Sequence, residues 1–176
     1  MNPTSSIKKY RKGKNMKPDY GIWKSGAVKR WHSHIDNDLR ESGDTTGWHS
    51  QRMALILLMI HPSQPPAHLL ACILTHDTPE TFTGDVPALV KGGRIGEYLE
   101  AYEQEVTKTY GLPIPSRTDK RWIRLCDLLD AILWVADRAP AHLATKPWVE
   151  CANEAAEIAV ELGVYDAASE LMGAKL

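Results

Sequence analysis

An all-α fold is what this sequence predicts, and three features carry the prediction. Helix-length stretches repeatedly open on residues suited to cap a helix and close on glycine or proline. In the longest stretch the apolar residues Trp122, Leu125, Cys126, Leu129, Leu133 and Ala136 recur at helical spacing. No clear run of alternating apolar and polar residues marks a strand.

Taken in chain order, the first segment is a tail. Lys8, Lys9, Arg11, Lys12, Lys14 and Lys17 come with no acid and almost nothing apolar. Residues 1–18 therefore cannot offset their ordering entropy and are expected to form a flexible basic tail. Residues 19–176 read as one domain. Asp44, Thr45 or Thr46 can cap a helix that runs through Trp48–Ile60 and ends before Pro62. Pro65-Pro66 opens a second helix, from Ala67 to about Asp77. The stretch Thr83-Gly84-Asp85-Val86-Pro87 reads as a turn into a short element ending near Lys91. A helix over roughly Ile95–Tyr110 stops at Gly111. Pro113 and Pro115 break the chain, and Ser116 can cap a helix from Arg117 to about Arg138. Two shorter helices, about Trp148–Leu162 and Val164–Leu171, flank Gly163.

Composition narrows the functional classes. The chain has 176 residues, long enough to bury a sizeable core, and its net charge of −1 leaves no global footprint for nucleic acid or membrane. Its longest apolar run, Met53–Ile60, is far too short to span a bilayer. No apolar segment of the kind a secretory signal needs follows the basic start. The cysteines Cys72, Cys126 and Cys151 are odd in number and without framework spacing, which fits a reducing compartment. A cytoplasmic protein is expected, with no membrane and no stable nucleic-acid partner. Only the tail speaks for nucleic acid.

Chemistry concentrates at helix ends. His76-Asp77 is an adjacent pair closing the second helix. Adjacent helical residues point about 100° apart, so both can hold one ion only if it sits at the helix terminus. His49 lies near the start of the preceding helix, and an antiparallel hairpin would bring it beside that pair. Two imidazoles and a carboxylate suit manganese, cobalt, zinc, iron or nickel, not a thiolate-type structural zinc site. A His-Asp dipeptide alone is weak evidence, and a lone histidine is more often a satisfied core residue. His32 and His34 form a His-x-His that could bind metal in a loop.

The order His49 … His76-Asp77 … Asp127 resembles the HD-domain phosphohydrolase superfamily, most closely its 5′-deoxynucleotidase branch. Arg30-Trp31 looks like the Arg-Trp pair before that family's first ligand helix, and Arg40 and Thr46 fall in the loop before the histidine. His76-Asp77-Thr78-Pro79-Glu80 resembles its His-Asp-x-x-Glu. The stretch from Thr83-Gly84-Asp85-Val86-Pro87 to Val90-Lys91 resembles its Thr-Gly-Asp-x-Pro-x-x-x-Lys. Asp127-x-Leu129-x-Ala131 resembles its last block. The likeness covers roughly residues 28–135. One departure is Trp48, where the family usually has glutamate before the histidine, and a different base or sugar preference is the expected consequence. The short chain is similar to compact phage-encoded dATP triphosphohydrolases, from phages that use 2-aminoadenine.

The resemblance implies a single HD-domain helical bundle with metal ligands His49, His76, Asp77 and Asp127. The implied cofactor is a divalent transition metal, cobalt, zinc or manganese, with magnesium at a second, phosphate-bound site. On the helical wheel the apolar stripe lies nearer Asp130 than Asp127. The resemblance favours Asp127 as ligand, leaving Asp130 and Asp137 to pair with surface bases such as Arg138. Glu80 and Asp85 take catalytic roles: Glu80 as proton shuttle, Asp85 as an acid or sugar-hydroxyl partner. Arg30, Trp31, Ser33 and Lys91 take substrate-binding roles, Arg30 by its planar fork and Lys91 as a point charge. Trp31 serves equally well as base wall or plain core.

Several functions fit these residues: removal of triphosphate from dATP, release of phosphate from deoxynucleoside monophosphates, nucleotide binding without catalysis, or nucleic-acid binding by a helical protein. The intact ligand set with Glu80 speaks against the third. A homo-oligomer, dimeric or hexameric, is implied by the family.

Overall fold

The computed structural model describes residues 20–86 and 93–173. The basic tail, residues 1–18, and Lys91 lie outside the described residues. Among those described the fold is all-α: six helices of nine residues or more carry the mass, with single turns between them and no strand. An isolated antiparallel bridge joins Lys29 and Thr45.

Helix α1, Thr46–Ile60, is capped by Thr45, whose hydroxyl accepts from the Trp48 amide. Helix α2, Ala67–Thr75, follows Pro66. A single turn, Glu80–Thr83, comes next and ends on Gly84 at φ +74°, a conformation that costs glycine little. Helix α3, Gly93–Tyr110, stops at Gly111. Helix α4, Arg117–Arg138, starts from a capping box in which Ser116 and Asp119 satisfy each other's amides. Helix α5, Lys146–Glu161, takes Pro147 in its first turn, and α6 is Tyr165–Gly173.

Helix α4 is the hub, packing against α1, α2, α5 and α6. Its inner face buries Leu125, Leu129 and Ile132, which join Met53, Ile56, Leu57 and Ile60 of α1 and Leu69 and Ile73 of α2 in one core. From the other side Ala155, Ile158 and Ala159 of α5 and Ala168 of α6 close over it. No described helix is long and apolar enough to cross a membrane.

The segment before α1 is tied to that helix's first turn. Arg30 donates its amide to the Asp44 carbonyl, Thr46 donates its amide to Val28, and the Thr46 hydroxyl donates to the Ser25 carbonyl. The backbones touch at Gly26 and Gly47: a β-carbon on Gly47 would meet the Gly26 carbonyl oxygen at 2.8 Å. This close seam places Arg30 and Trp31 over the start of α1.

Candidate metal centre

Helices α1 and α2 run antiparallel across a short loop, so the start of one meets the end of the other. His49, in the first turn of α1, thereby faces His76, the residue that ends α2; their rings lie 5.2 Å apart. Asp77 follows just past the helix terminus, where adjacent side chains can converge. Donor atoms of His49, His76 and Asp77 all lie within 4.8 Å of one another, so this group could hold a metal ion.

Helix α4 supplies the third side. The Asp127 carboxylate reaches 3.3 Å from His49 Nε2, while Asp77 stands 3.6 Å from the same nitrogen and 3.0 Å from His76 Nε2. The other ring nitrogens are engaged. His49 Nδ1 shares a hydrogen bond with Asp130 Oδ2 at 2.7 Å, and His76 Nδ1 donates to the Ile73 carbonyl at 2.7 Å. His49 Nε2 and His76 Nε2 are both buried and lack an aligned hydrogen-bond partner. Both instead point toward the carboxylates of Asp77 and Asp127, an arrangement in which an ion could sit.

Electrostatics agree. Burial opposes charge on His76, yet Asp77 and Asp127 outweigh it and raise His76 from 6.5 to about 9. Burial likewise opposes charge on His49, and Asp127 and Asp130 override it, raising its pKa. Burial would lift Asp77, but His76 and His49 hold it down at about 2. Desolvation opposes charge on Asp127 too, and His49 and Arg30 nonetheless hold it below the usual carboxylate range. Protons on the imidazoles thus stand where a cation would satisfy the same carboxylates.

The other expected site residues fall at varying distances from this cluster. Glu80 is buried in the turn that follows Asp77. Asp85 accepts from the Trp31 amide at 3.2 Å, and the Trp31 indole donates to Asp44 at 3.1 Å. Trp31 is held at φ +61°, a conformation bulky residues rarely adopt and one that needs such anchors. Arg30 reaches Asp44 at 3.3 Å and Asp127 at 3.8 Å. Ser33 is exposed and is not brought into the cluster. Arg40 and Thr46 serve structure: Arg40 bonds Asn37 and the His34 carbonyl, and Thr46 is buried at the Ser25 seam. His32 Nδ1 sits 3.2 Å from the Lys29 carbonyl, and His34 Nδ1 accepts from the Asp36 amide, so the His-x-His stands apart from the cluster.

One expectation needs correcting. Asp130 does not pair with surface bases: it is 1% exposed and bonds His49 and Arg52, as the helical wheel suggested for a residue beside the apolar stripe. Asp137 does pair with Arg138, at 3.4 Å. Of the three residues expected to be able to cap α1, Thr45 does so, while Asp44 accepts from Arg52 and Arg30. Sequence reasoning also missed Arg52 and Arg124. Arg124 is braced by Glu154 and approaches Asp127 at 3.4 Å, an exposed cation on the rim of the cluster. A basic residue one helical turn before the candidate ligand Asp127 was the signal available for it.

No protein-family model, curated protein or solved structure matches this chain.

Proposed function

We propose that this protein is a metal-dependent phosphohydrolase of deoxynucleotides, with dATP as its leading substrate, converted to deoxyadenosine plus triphosphate or phosphates. The observation that carries the proposal is the convergence of the buried Nε2 atoms of His49 and His76 on the carboxylates of Asp77 and Asp127, with donor atoms of His49, His76 and Asp77 within 4.8 Å of one another. His49, His76, Asp77 and Asp127 would hold the ion, and their mixed nitrogen and oxygen donors suit cobalt, zinc or manganese. Bound there, such an ion supplies Lewis-acid activation of water and screens phosphoryl charge.

The remaining roles belong to the chain's own groups. Glu80, in the turn that follows Asp77, would accept the proton lost by the attacking water. Arg124 and Arg30 flank Asp127 and supply the positive charge a phosphate chain needs. Trp31, fixed through Asp44 and Asp85, forms the wall for base and sugar. Adenine lacks the 2-amino group of guanine, so a tight wall rejects guanine sterically. Asp85 is already engaged by the Trp31 amide, so its part in sugar selection is to position that wall.

The test is a product survey: each dNTP, NTP and dNMP with cobalt, manganese, zinc or magnesium. We expect dATP to be consumed, with deoxyadenosine released. Hydrolysis of monophosphates only, with every triphosphate untouched, would make the protein a 5′-deoxynucleotidase instead. No hydrolysis of any nucleotide with any metal refutes both.

A further inference from the structure

Behind the metal-capable cluster lies a second layer of charge that the proposed chemistry does not use. Asp44 and Asp130 are almost wholly buried, and Arg52 bridges them. Its Nε donates to Asp130 Oδ1 at 2.6 Å and its Nη2 to Asp130 Oδ2 at 2.9 Å, while Nη1 and Nη2 donate to the two Asp44 oxygens at 2.9 and 3.0 Å. The Trp134 ring covers the guanidinium at 4.3 Å. Asp130 Oδ2 is also the partner of His49 Nδ1.

We infer that Arg52 is a positioning residue of the metal centre. By clamping Asp130 against Asp44 it holds His49 with its proton on Nδ1 and its Nε2 lone pair facing His76 and Asp77. The inference rests on the metal-centre reading proposed above.

The first support is geometric. Asp127 and Asp130 lie one turn apart on α4, and both reach His49, the first at Nε2 and the second at Nδ1. Two donors from one planar guanidinium fix the Asp130 carboxylate so that it serves only the Nδ1 side. A ligand histidine needs such a rear acceptor to set tautomer and ring orientation. Lysine cannot substitute, because a point ammonium does not span two carboxylates.

Charge is the second. Arg30 lies 3.3 Å from Asp44 and 3.5 Å from Asp130, so Arg30 and Arg52 together balance Asp44 and Asp130. Arg30 also reaches Asp127 at 3.8 Å, so it is shared between the two layers, and Arg52 is the cation that serves Asp44 and Asp130 alone. Without Arg52 the buried Asp44 and Asp130 repel each other, and the carboxylate behind His49 loses its fixed orientation.

The test measures Zn(II) affinity of wild type, Arg52→Lys and Arg52→Gln by competition with a chromophoric chelator. It is paired with imidazole nitrogen–proton spectra of the zinc-loaded proteins. We expect both variants to bind zinc about 10-fold or more weakly, and the His49 Nδ1–H signal to broaden or vanish. A role through charge alone predicts the reverse: tighter zinc in Arg52→Gln, which has lost a nearby cation, and wild-type affinity in Arg52→Lys. Either result overturns the inference. Should the Arg52 variants not fold, Asp44→Asn loosens the same clamp while leaving Arg52 and Asp130 charged; an unchanged His49 signal there overturns it. Wild-type protein that takes up no zinc refutes the metal centre itself, and this inference with it.

Discussion

Protons and metal compete for the same nitrogens, and the competition can be put in numbers at His76. Its pKa in the metal-free protein is about 9, because Asp77 and Asp127 outweigh burial. At pH 7 a metal must expel that proton, which costs about 2.7 kcal/mol for two pH units. Apparent zinc affinity should therefore rise about 50-fold between pH 7 and pH 9 from His76 alone, since half the sites are still protonated at pH 9, and the raised His49 acts in the same direction. The same shift fixes a stability effect. His76 ordinarily titrates at 6.5 and in the fold at about 9, so its stabilisation is fully present below 6.5 and is lost as pH rises through 9. The loss is of the order of 3 kcal/mol for the metal-free protein, and it counts the His76–Asp77 pair once. Thermal unfolding with and without zinc, scanned from pH 6 to pH 9.5, reads both effects. The gain in Tm from zinc should grow as pH rises, and calorimetry in buffers of different ionisation enthalpy should show proton release on binding. A flat affinity across this window, with no protons released, would refute the reasoning.

Single contacts set the other expected outcomes. Asp127→Asn should abolish metal-dependent turnover while leaving the helical circular dichroism intact, because this carboxylate is a third exposed and carries no core contact network like that of Asp130. Asp130→Asn should cost about 1–3 kcal/mol in chemical denaturation, since it removes the buried carboxylate that serves His49 and Arg52 while Asp44 still pairs with Arg52. Gly47→Ala should lower stability by about 1–3 kcal/mol, by forcing the Gly26 backbone off the start of α1, and should reduce turnover by displacing Arg30 and Trp31. Deleting residues 1–15 should leave nucleotide hydrolysis nearly unchanged, as no proposed site residue precedes Arg30; a large loss of rate would place the tail at an active site.

Local signals made much of this fold legible. Ser116, Gly111, Gly163 and the Pro65-Pro66 pair act through their own backbone chemistry, so the helices they bound were readable to within a few residues. The His49 to His76-Asp77 meeting followed from a hairpin with a short loop. What escaped was tertiary. Asp130 looked like a surface acid until α1 brought Arg52 and His49 to it across 78 and 81 residues of sequence. Three adjacent residues could cap α1, and only the tertiary contacts of Asp44 with Arg30 and Arg52 show why Thr45 takes the role. The Glu80–Thr83 helical turn, which follows Pro79, was not read from the sequence.

The central claim is that nucleotide hydrolysis depends on an ion held by His49, His76, Asp77 and Asp127. The most direct measurement strips the protein with chelator, adds back cobalt, manganese or zinc, and follows deoxyadenosine release from dATP, in wild type and in His76→Ala. We expect no product from stripped protein, recovery with at least one of these metals, and no recovery in folded His76→Ala. Equal product from stripped and refilled wild type, or full recovery in His76→Ala, would contradict the account.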